Sequence, residues 1–196
     1  MIVTTKQIPE MLIKINDVFL ERCNSYKYLG VVIDEKLKWD SHVEYISKKI
    51  SKGCGALAKI RNCISTTVLK NVYHALVNSY LRYGILIWGH AAQSILHPIQ
   101  VLTNRAIRIM TYAPFGNVDL KPIYQELKIL EVPKICLFET GKFEFKSQNN
   151  LLPTSIGNYF EGQEIHHTYG LRSRTRGESP RFFSHTKTGE KSLQYI

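Results

Sequence analysis

Few cysteines, few acidic residues and no long apolar run mark this 196-residue chain, and each shortage removes a class of protein. The four cysteines, Cys23, Cys54, Cys63 and Cys136, form no Cys-x-x-Cys pair, which argues against a zinc ribbon or a disulfide scaffold. Their apolar surroundings predict buried, reduced thiols. The most apolar stretch, ALVNSYLRYGILIWG over residues 75–89, is interrupted by Asn78 and Arg82. It is too short to span a bilayer and predicts a buried helix instead. The opening MIVTTKQIPE has no basic segment leading into an apolar core, so no secretory signal is expected. The expectation is an intracellular, reducing location, nucleus or cytoplasm, with no membrane partner.

The acidic shortage has a positive counterpart. Lysine and arginine number 26 against 16 acidic residues, a formal net charge of +10. Such a surplus suits a polyanionic partner, nucleic acid first and an anionic membrane second, although surplus charge also simply keeps proteins soluble. With 44% hydrophobic and 21% charged residues, the chain has the composition of a soluble globular protein.

The hydrophobic period changes along the chain. Residues 11–15 and 18–23 are short runs joined by Asn16-Asp17, a pair suited to a hairpin turn. YKYLGVVI, residues 26–33, reads as a third strand in which Gly30 marks a bulge or a close backbone approach. Beyond a polar turn containing Trp39, Asp40 or Ser41 can cap a helix reaching Asn62, with Val43, Ile46, Ile50, Cys54 and Leu57 as its core stripe. Ser65 can cap a second helix over 66–88, with Val68, Val72, Leu76, Tyr80 and Tyr83 on one face. Further helices are expected over 94–112, with Pro98 near its start, 119–130 and 132–148, the last weakened at Gly141. The fold class is therefore mainly α, a small N-terminal antiparallel β remnant followed by a bundle of about five helices and an irregular basic tail. The expected division is 1–35, 36–115, 116–160 and 161–196.

Two basic features are candidate nucleic-acid contacts. At about 100° per residue, Lys48, Lys52 and Lys59 fall within roughly 40° of one another, opposite the core stripe. Lysines so placed bind backbone phosphates whatever the base sequence, whereas the plainer reading is a solvated helix face. In the tail, Arg172, Arg174 and Arg176 alternate with small polar residues, near Tyr169, Phe182 and Phe183. Arginine forks suit phosphates and aromatics suit stacked bases, with a flexible basic tail as the alternative.

Other patterns lack the context their chemistry needs. Gly53 to Ala58 fits G-x-G-x-x-A, but lies inside a helical period where no strand precedes it. Its two glycines are better explained by the close approach of a neighbouring backbone. His166-His167 has no acid or cysteine at ligand spacing, and His42, His74, His90 and His97 have no partner in sequence. Asp34 and Glu35 sit among lysines and read as solvated charge. No pair of acids stands where two-metal phosphoryl transfer needs them, so no catalytic or metal residue is assigned.

SYKYLGVVID followed by EKLKWDSHVEYISKKISK carries more than its period. It resembles the segment just after the polymerase palm in Jockey-like reverse transcriptases of retrotransposons without long terminal repeats. Tyr26, Lys27, Tyr28, Leu29 and Gly30 match the family's F/Y-K-Y-L-G strand. Asp34, Leu37, Trp39, His42, Ile46 and Lys49 match its D-x-x-L-x-W-x-x-H-x-x-x-I-x-x-K block. YHALVNSYLRYGILIWG, VLTNRAIRIM, NNLLPTSI and GLRSRTRG follow in the family's order.

The resemblance implies a primer grip at the YLG strand, with Lys27, Tyr28, Leu29 and Gly30 as nucleic-acid contacts. It also implies that the lysine helix belongs to a thumb holding an RNA/DNA hybrid by shape and phosphates. The family's aromatic-x-Asp-Asp motif is not found among the residues before Tyr26. A fragment of an RNA-directed DNA polymerase, not catalytic alone, is expected; Mg²⁺ would belong to the palm, and the palm and fingers would be its partners. The alternatives are a helical module that binds protein, its tyrosine-rich faces serving as the surface, or a transposon-derived product without function.

Overall fold

The computed structural model describes residues 13–114, 116 and 118–156. Arg172, Arg174, Arg176 and the His166-His167 pair lie outside the described residues. Within them, two small antiparallel hairpins precede seven α-helical segments, in keeping with the mainly α expectation. β1 (Lys14–Ile15) pairs with β2 (Val18–Phe19) across Asn16 and Asp17, whose φ angles are 47° and 62°. Short polar side chains tolerate that left-handed region best, which is why this pair closes a two-residue turn.

Residues 26–33 are not one strand. β3 (Ser25–Tyr28) runs antiparallel to β4 (Val31–Asp34), with Tyr28 opposite Val31. Leu29 and Gly30 form the turn, at φ 45° and 83°. Gly30 is thus a turn residue and not a bulge, because apolar side chains continue straight through the reversal and hide it from the period. The Tyr83 hydroxyl donates to the Leu29 carbonyl at 2.5 Å and holds the leucine in its unusual conformation.

Asp34 organises the next loop. Its carboxylate accepts the backbone N–H groups of Lys36 (3.0 Å), Lys38 (3.0 Å) and Trp39 (2.8 Å). Glu35 pairs with Arg22 at 3.2 Å, so neither acid is merely solvated charge. The Asp34 bonds support a loop in which Leu37 and Trp39 take positive φ. From Trp39 the chain enters α1 (Asp40–Ile60), and no side chain caps it, neither Asp40 nor Ser41.

α1 buries Val43, Ile46, Ile50, Cys54 and Leu57 as their spacing predicts, packing mainly on α5 (Gln93–Thr111). The single helix expected over 66–88 is broken. α2 (Thr66–Tyr73) passes through a π-helical turn (His74–Asn78) into α3 (Ser79–Arg82), and Gly84 at φ 63° redirects the chain into α4 (Ile85–Trp88). Ser65 precedes α2 but makes no side-chain cap bond. The buried stripe is Leu69, Tyr73, Val77, Leu81, Ile85 and Trp88; Val68, Leu76 and Tyr83 are exposed, and Val72 and Tyr80 only half-buried. Two apolar stripes lie one residue apart here, so the period alone could not choose between them. A four-residue repeat drifts about 40° per step on an α-helix, and the wider π turn offsets that drift.

α6 (Lys121–Glu126) is shorter than the expected 119–130, because Asp119 only accepts the Lys121 N–H (3.0 Å) and Lys128 takes φ 52°. α7 (Val132–Gln148) has the expected bounds and packs on α3, α4 and α5. One core cluster extends from Val43 to Cys136. Cys54 and Cys136 are buried in it as free thiols, whereas Cys23 is half-buried and Cys63 exposed, which corrects the expectation of four buried thiols.

The two glycines of α1 differ. A Cβ at Gly53 would stand 2.8 Å from the Leu76 carbonyl oxygen, so glycine lets the π turn approach; at Gly55 it would meet nothing within 4 Å. Gly53→Ala should therefore destabilise the fold by about 1–3 kcal/mol through overpacking. Gly55→Ala should stabilise it by up to about 1 kcal/mol through helix propensity. Urea unfolding of the two variants checks these opposite signs.

Candidate nucleic-acid interface

Lys48, Lys52 and Lys59 are all exposed, and they share the side of α1 turned away from its buried stripe. Lys48 is partly engaged by Glu44, one turn earlier, at 2.6 Å. The hydrogen bond and charge of Lys48 hold the Glu44 carboxyl below its ordinary range. Lys52 and Lys59 have no acid at that spacing on the N-terminal side, since Lys48 and Gly55 stand there.

Towards the hairpin the basic surface continues around the helix. Lys27 of β3 donates to the Tyr45 hydroxyl at 3.0 Å and lies 4.5 Å from the ring centroid. Lys49, half-buried, stands 5.7 Å from the same ring. The Lys27 hydrogen bond lowers the Tyr45 hydroxyl's pKa. Two candidate groups distant in sequence, the hairpin lysine and the α1 lysines, thus border the same helix. Tyr28 and Leu29 project at the hairpin tip, 60% and 72% exposed. Gly30 is accounted for locally: its φ is positive, and a Cβ would press on Tyr83 Cε1 at 3.3 Å.

A cavity of about 380 Å³ opens between this turn and helices α1 and α3, lined by Gly30, His42, Tyr45, Ile46, Ser79, Tyr80 and Tyr83. His42, which sits at the histidine of the W-x-x-H motif, is only 1% exposed. Its Nδ1 accepts the Val32 N–H at 3.2 Å, which leaves the ring proton on Nε2. That Nε2 has no hydrogen-bond partner among the described residues. Burial pushes the His42 pKa down to about 4, so the imidazole is neutral near pH 7. Trp88 meets the imidazole edge-on at 5.5 Å and donates its indole N–H to the Tyr83 carbonyl at 3.0 Å. The W-x-x-H spacing, which puts His42 on the buried side of α1 a turn before Ile46, was the one available signal.

His74 and His90 find partners of their own: His74 bonds the Asn78 amide at 3.1 Å, and His90 Nε2 lies 3.3 Å from Cys136 Sγ. Burial lowers the His90 pKa and raises that of Cys136, which favours a neutral pair. Among the described residues no three His, Cys, Asp or Glu side chains gather as a metal site, and no helix is long and apolar enough to cross a membrane.

Known proteins resemble this chain in sequence. The chain is 35% identical over 106 residues to a probable RNA-directed DNA polymerase from transposon BS of Drosophila melanogaster, covering 53% of this chain and 12% of that protein. It is 29% identical over 127 residues to the RNA-directed DNA polymerase from mobile element jockey of the same species, and 32% identical over 127 residues to its Drosophila funebris counterpart. Each of these two matches covers 63% of this chain and 13% of the relative. The chain is therefore similar to the RNA-directed DNA polymerases of non-long-terminal-repeat retrotransposons, the resemblance drawn from its motifs, and it spans about an eighth of their length. No family model and no solved structure matches.

The His42 environment sets a pH dependence. The unfolded chain takes up the proton first, so this contribution to stability is complete above pH 6.5 and declines as the pH falls towards about 4. The loss should amount to about 3 kcal/mol, and His74 and His90, also lowered by burial, act with the same sign. In urea unfolding at several pH values, His42→Gln should show a distinctly flatter acid slope than the parent; equal slopes would exclude a His42 held neutral by burial.

Proposed function

We propose that this segment holds the RNA/DNA hybrid of an RNA-directed DNA polymerase, and that phosphoryl transfer, with its Mg²⁺, belongs to a palm carried by other residues. The observation that carries the reading is the outward face of α1. Lys48, Lys52 and Lys59 stand exposed on it, backed by a buried stripe that gives the helix a rigid seat. Cations presented by a rigid helix match the regular phosphate spacing of a duplex and make no demand on base sequence. The similarity to mobile-element polymerases makes hybrid the natural duplex. An A-form-like hybrid is recognised by its shape and backbone, which suits a face bearing lysines and no dedicated base-reading set. In this reading Lys27, Tyr28, Leu29 and Gly30 form the primer-side contact, and Arg172, Arg174 and Arg176 supply further phosphate contacts. An intracellular location, nucleus or cytoplasm, accompanies it.

The first hairpin supports a palm and fingers as partner. Ile15, Val18 and Phe19 of β1 and β2 are 53–66% exposed, and flanking Ile13 and Leu20 are 45% and 50% exposed. So much apolar surface on a two-stranded ribbon fits docking against the remainder of a polymerase. A second reading, a protein-binding helical module, is favoured by α7, where Leu137, Phe138 and Phe145 are 71%, 50% and 61% exposed.

A salt titration of hybrid binding separates the two. The parent chain should lose affinity steeply with salt, and replacing Lys48, Lys52 and Lys59 with alanine should reduce the log–log slope by about 2–3. Glu44→Gln, which frees Lys48, should raise affinity at low salt. Absence of binding at low salt would reject the hybrid-holding role and favour the protein module.

A further inference from the structure

Where α1 and α5 end, two arginines share a small cavity for which the hybrid-holding reading has no use. It measures about 210 Å³ and is lined by Arg61, Arg108, Ile109, Tyr112, Ala113 and Pro114, with no acidic residue. Arg61 follows the last residue of α1, and Arg108 lies in the last turn of α5. Both are half-buried. Among the described residues neither guanidinium has a carboxylate partner, and the one hydrogen bond of the Arg108 side chain goes to the Gly116 carbonyl at 3.3 Å. The Arg108 Nε is buried with no acceptor among those residues. A cation placed so, and left unpaired, costs free energy that an entering anion offsets.

Tyr112 prepares the other guanidinium. It follows α5 at φ 56°, a conformation rare for an aromatic residue. Its hydroxyl lies within hydrogen-bonding distance of the Arg61 carbonyl (3.0 Å) and of Asn62 Oδ1 (2.8 Å). These bonds hold the ring against the Arg61 guanidinium, which stands 4.6 Å from its centroid. Stacking occupies one face of the guanidinium and leaves its N–H donors, which lie in the plane, to meet a ligand edge-on. A plainer account of both arginines is that cations suit helix C-termini. Each helix end carries only about half a negative charge, so two ends offset about one of the two positive charges. The remaining charge borders a cavity without an acid.

We infer that Arg61 and Arg108 form a phosphate-binding pocket in which Tyr112 orients Arg61. Guanidinium forks match phosphate oxygens, and the volume, below the roughly 300–1,000 Å³ of cavities that take a whole ligand, suits one such group. At about 100° per residue, Arg61 falls roughly 160° from the middle of the lysine row. A duplex lying along Lys48, Lys52 and Lys59 therefore keeps its own backbone away from the pocket. The phosphate is then one that ends a strand or belongs to a small molecule, two sources with the same chemistry. The inference stands without the hybrid-holding reading.

Urea unfolding of the full chain, in inorganic phosphate and in sodium chloride of equal ionic strength, tests the pocket. Phosphate should raise the midpoint by about 0.5–1 M. Arg61→Lys, which keeps the charge and loses the fork, should remove most of that rise, and so should Tyr112→Leu, which loses the stack. Fluorescence anisotropy then separates the sources. For a strand end, hybrid with phosphates on its strand ends should bind the parent about tenfold tighter than the same hybrid with hydroxyl ends, and Arg61→Lys should bring that ratio to one. A ratio of one in the parent, with protection by inorganic phosphate intact, supports the pocket and assigns it to a small phosphate compound. Equal midpoints in the two salts would overturn the pocket. So would protection that survives Arg61→Lys, which is the general effect of phosphate on protein surfaces. Protection without any hybrid binding would sink the hybrid-holding role and support the pocket.

Discussion

Seating α1 on the core is the constraint from which the rest of the described structure follows. Val43, Ile46, Ile50, Cys54 and Leu57 face inward together, the apolar ones contributing about 1.5–3 kcal/mol each on burial. Gly53 lets the Leu76 carbonyl come close enough for this contact to be tight. Once the stripe is seated, the helix cannot rotate, and the positions of its remaining side chains are settled. Lys48, Lys52 and Lys59 must then face away from the core, while His42 and Tyr45 must meet the β3–β4 hairpin.

A chain of polar contacts ties that hairpin to the bundle. Val32 bonds to His42, Lys27 to Tyr45, and Leu29 to Tyr83, while Tyr83 accepts in turn from Trp88. Two strands alone are marginal in water, so these links to a packed helix hold the hairpin in place. They also surround the tyrosine-lined cavity, which has its shape only because the turn at Leu29-Gly30 is tied down over α1 and α3. The exposed lysines and the cavity are therefore two products of one docking event, the first on the outer side of α1 and the second on its flank.

Much of the helical plan could be read from local pattern, because burial of one helix side imposes a period that the residues themselves carry. α1, α5 and α7 lie within a few residues of their expected bounds for that reason. Features that oppose or escape the period were not legible. The reversal at Leu29-Gly30 sits inside an apolar run. The π turn and Gly84 break what reads as one helix, and the second apolar stripe of residues 68–83 competes with the true one at equal spacing. Asp34 looked like surface charge because its role is to bind three backbone N–H groups, and backbone leaves no trace in side-chain pattern.

Composition and spacing alone determined a basic, mainly α chain with an antiparallel β start and a lysine row opposite an apolar row, and the order of its motifs resembles that of retrotransposon polymerases. These are properties of neighbours along the chain, which the sequence contains in full. Only the tertiary structure decided that Lys27 reaches Tyr45, that Tyr83 holds the Leu29 carbonyl, and that the His42 Nε2 is buried with no partner among the described residues. Those partners lie 18 and 54 residues apart in the two hydrogen bonds, and no local period relates residues at such distances. They meet because the core closes around α1, an outcome of packing in three dimensions.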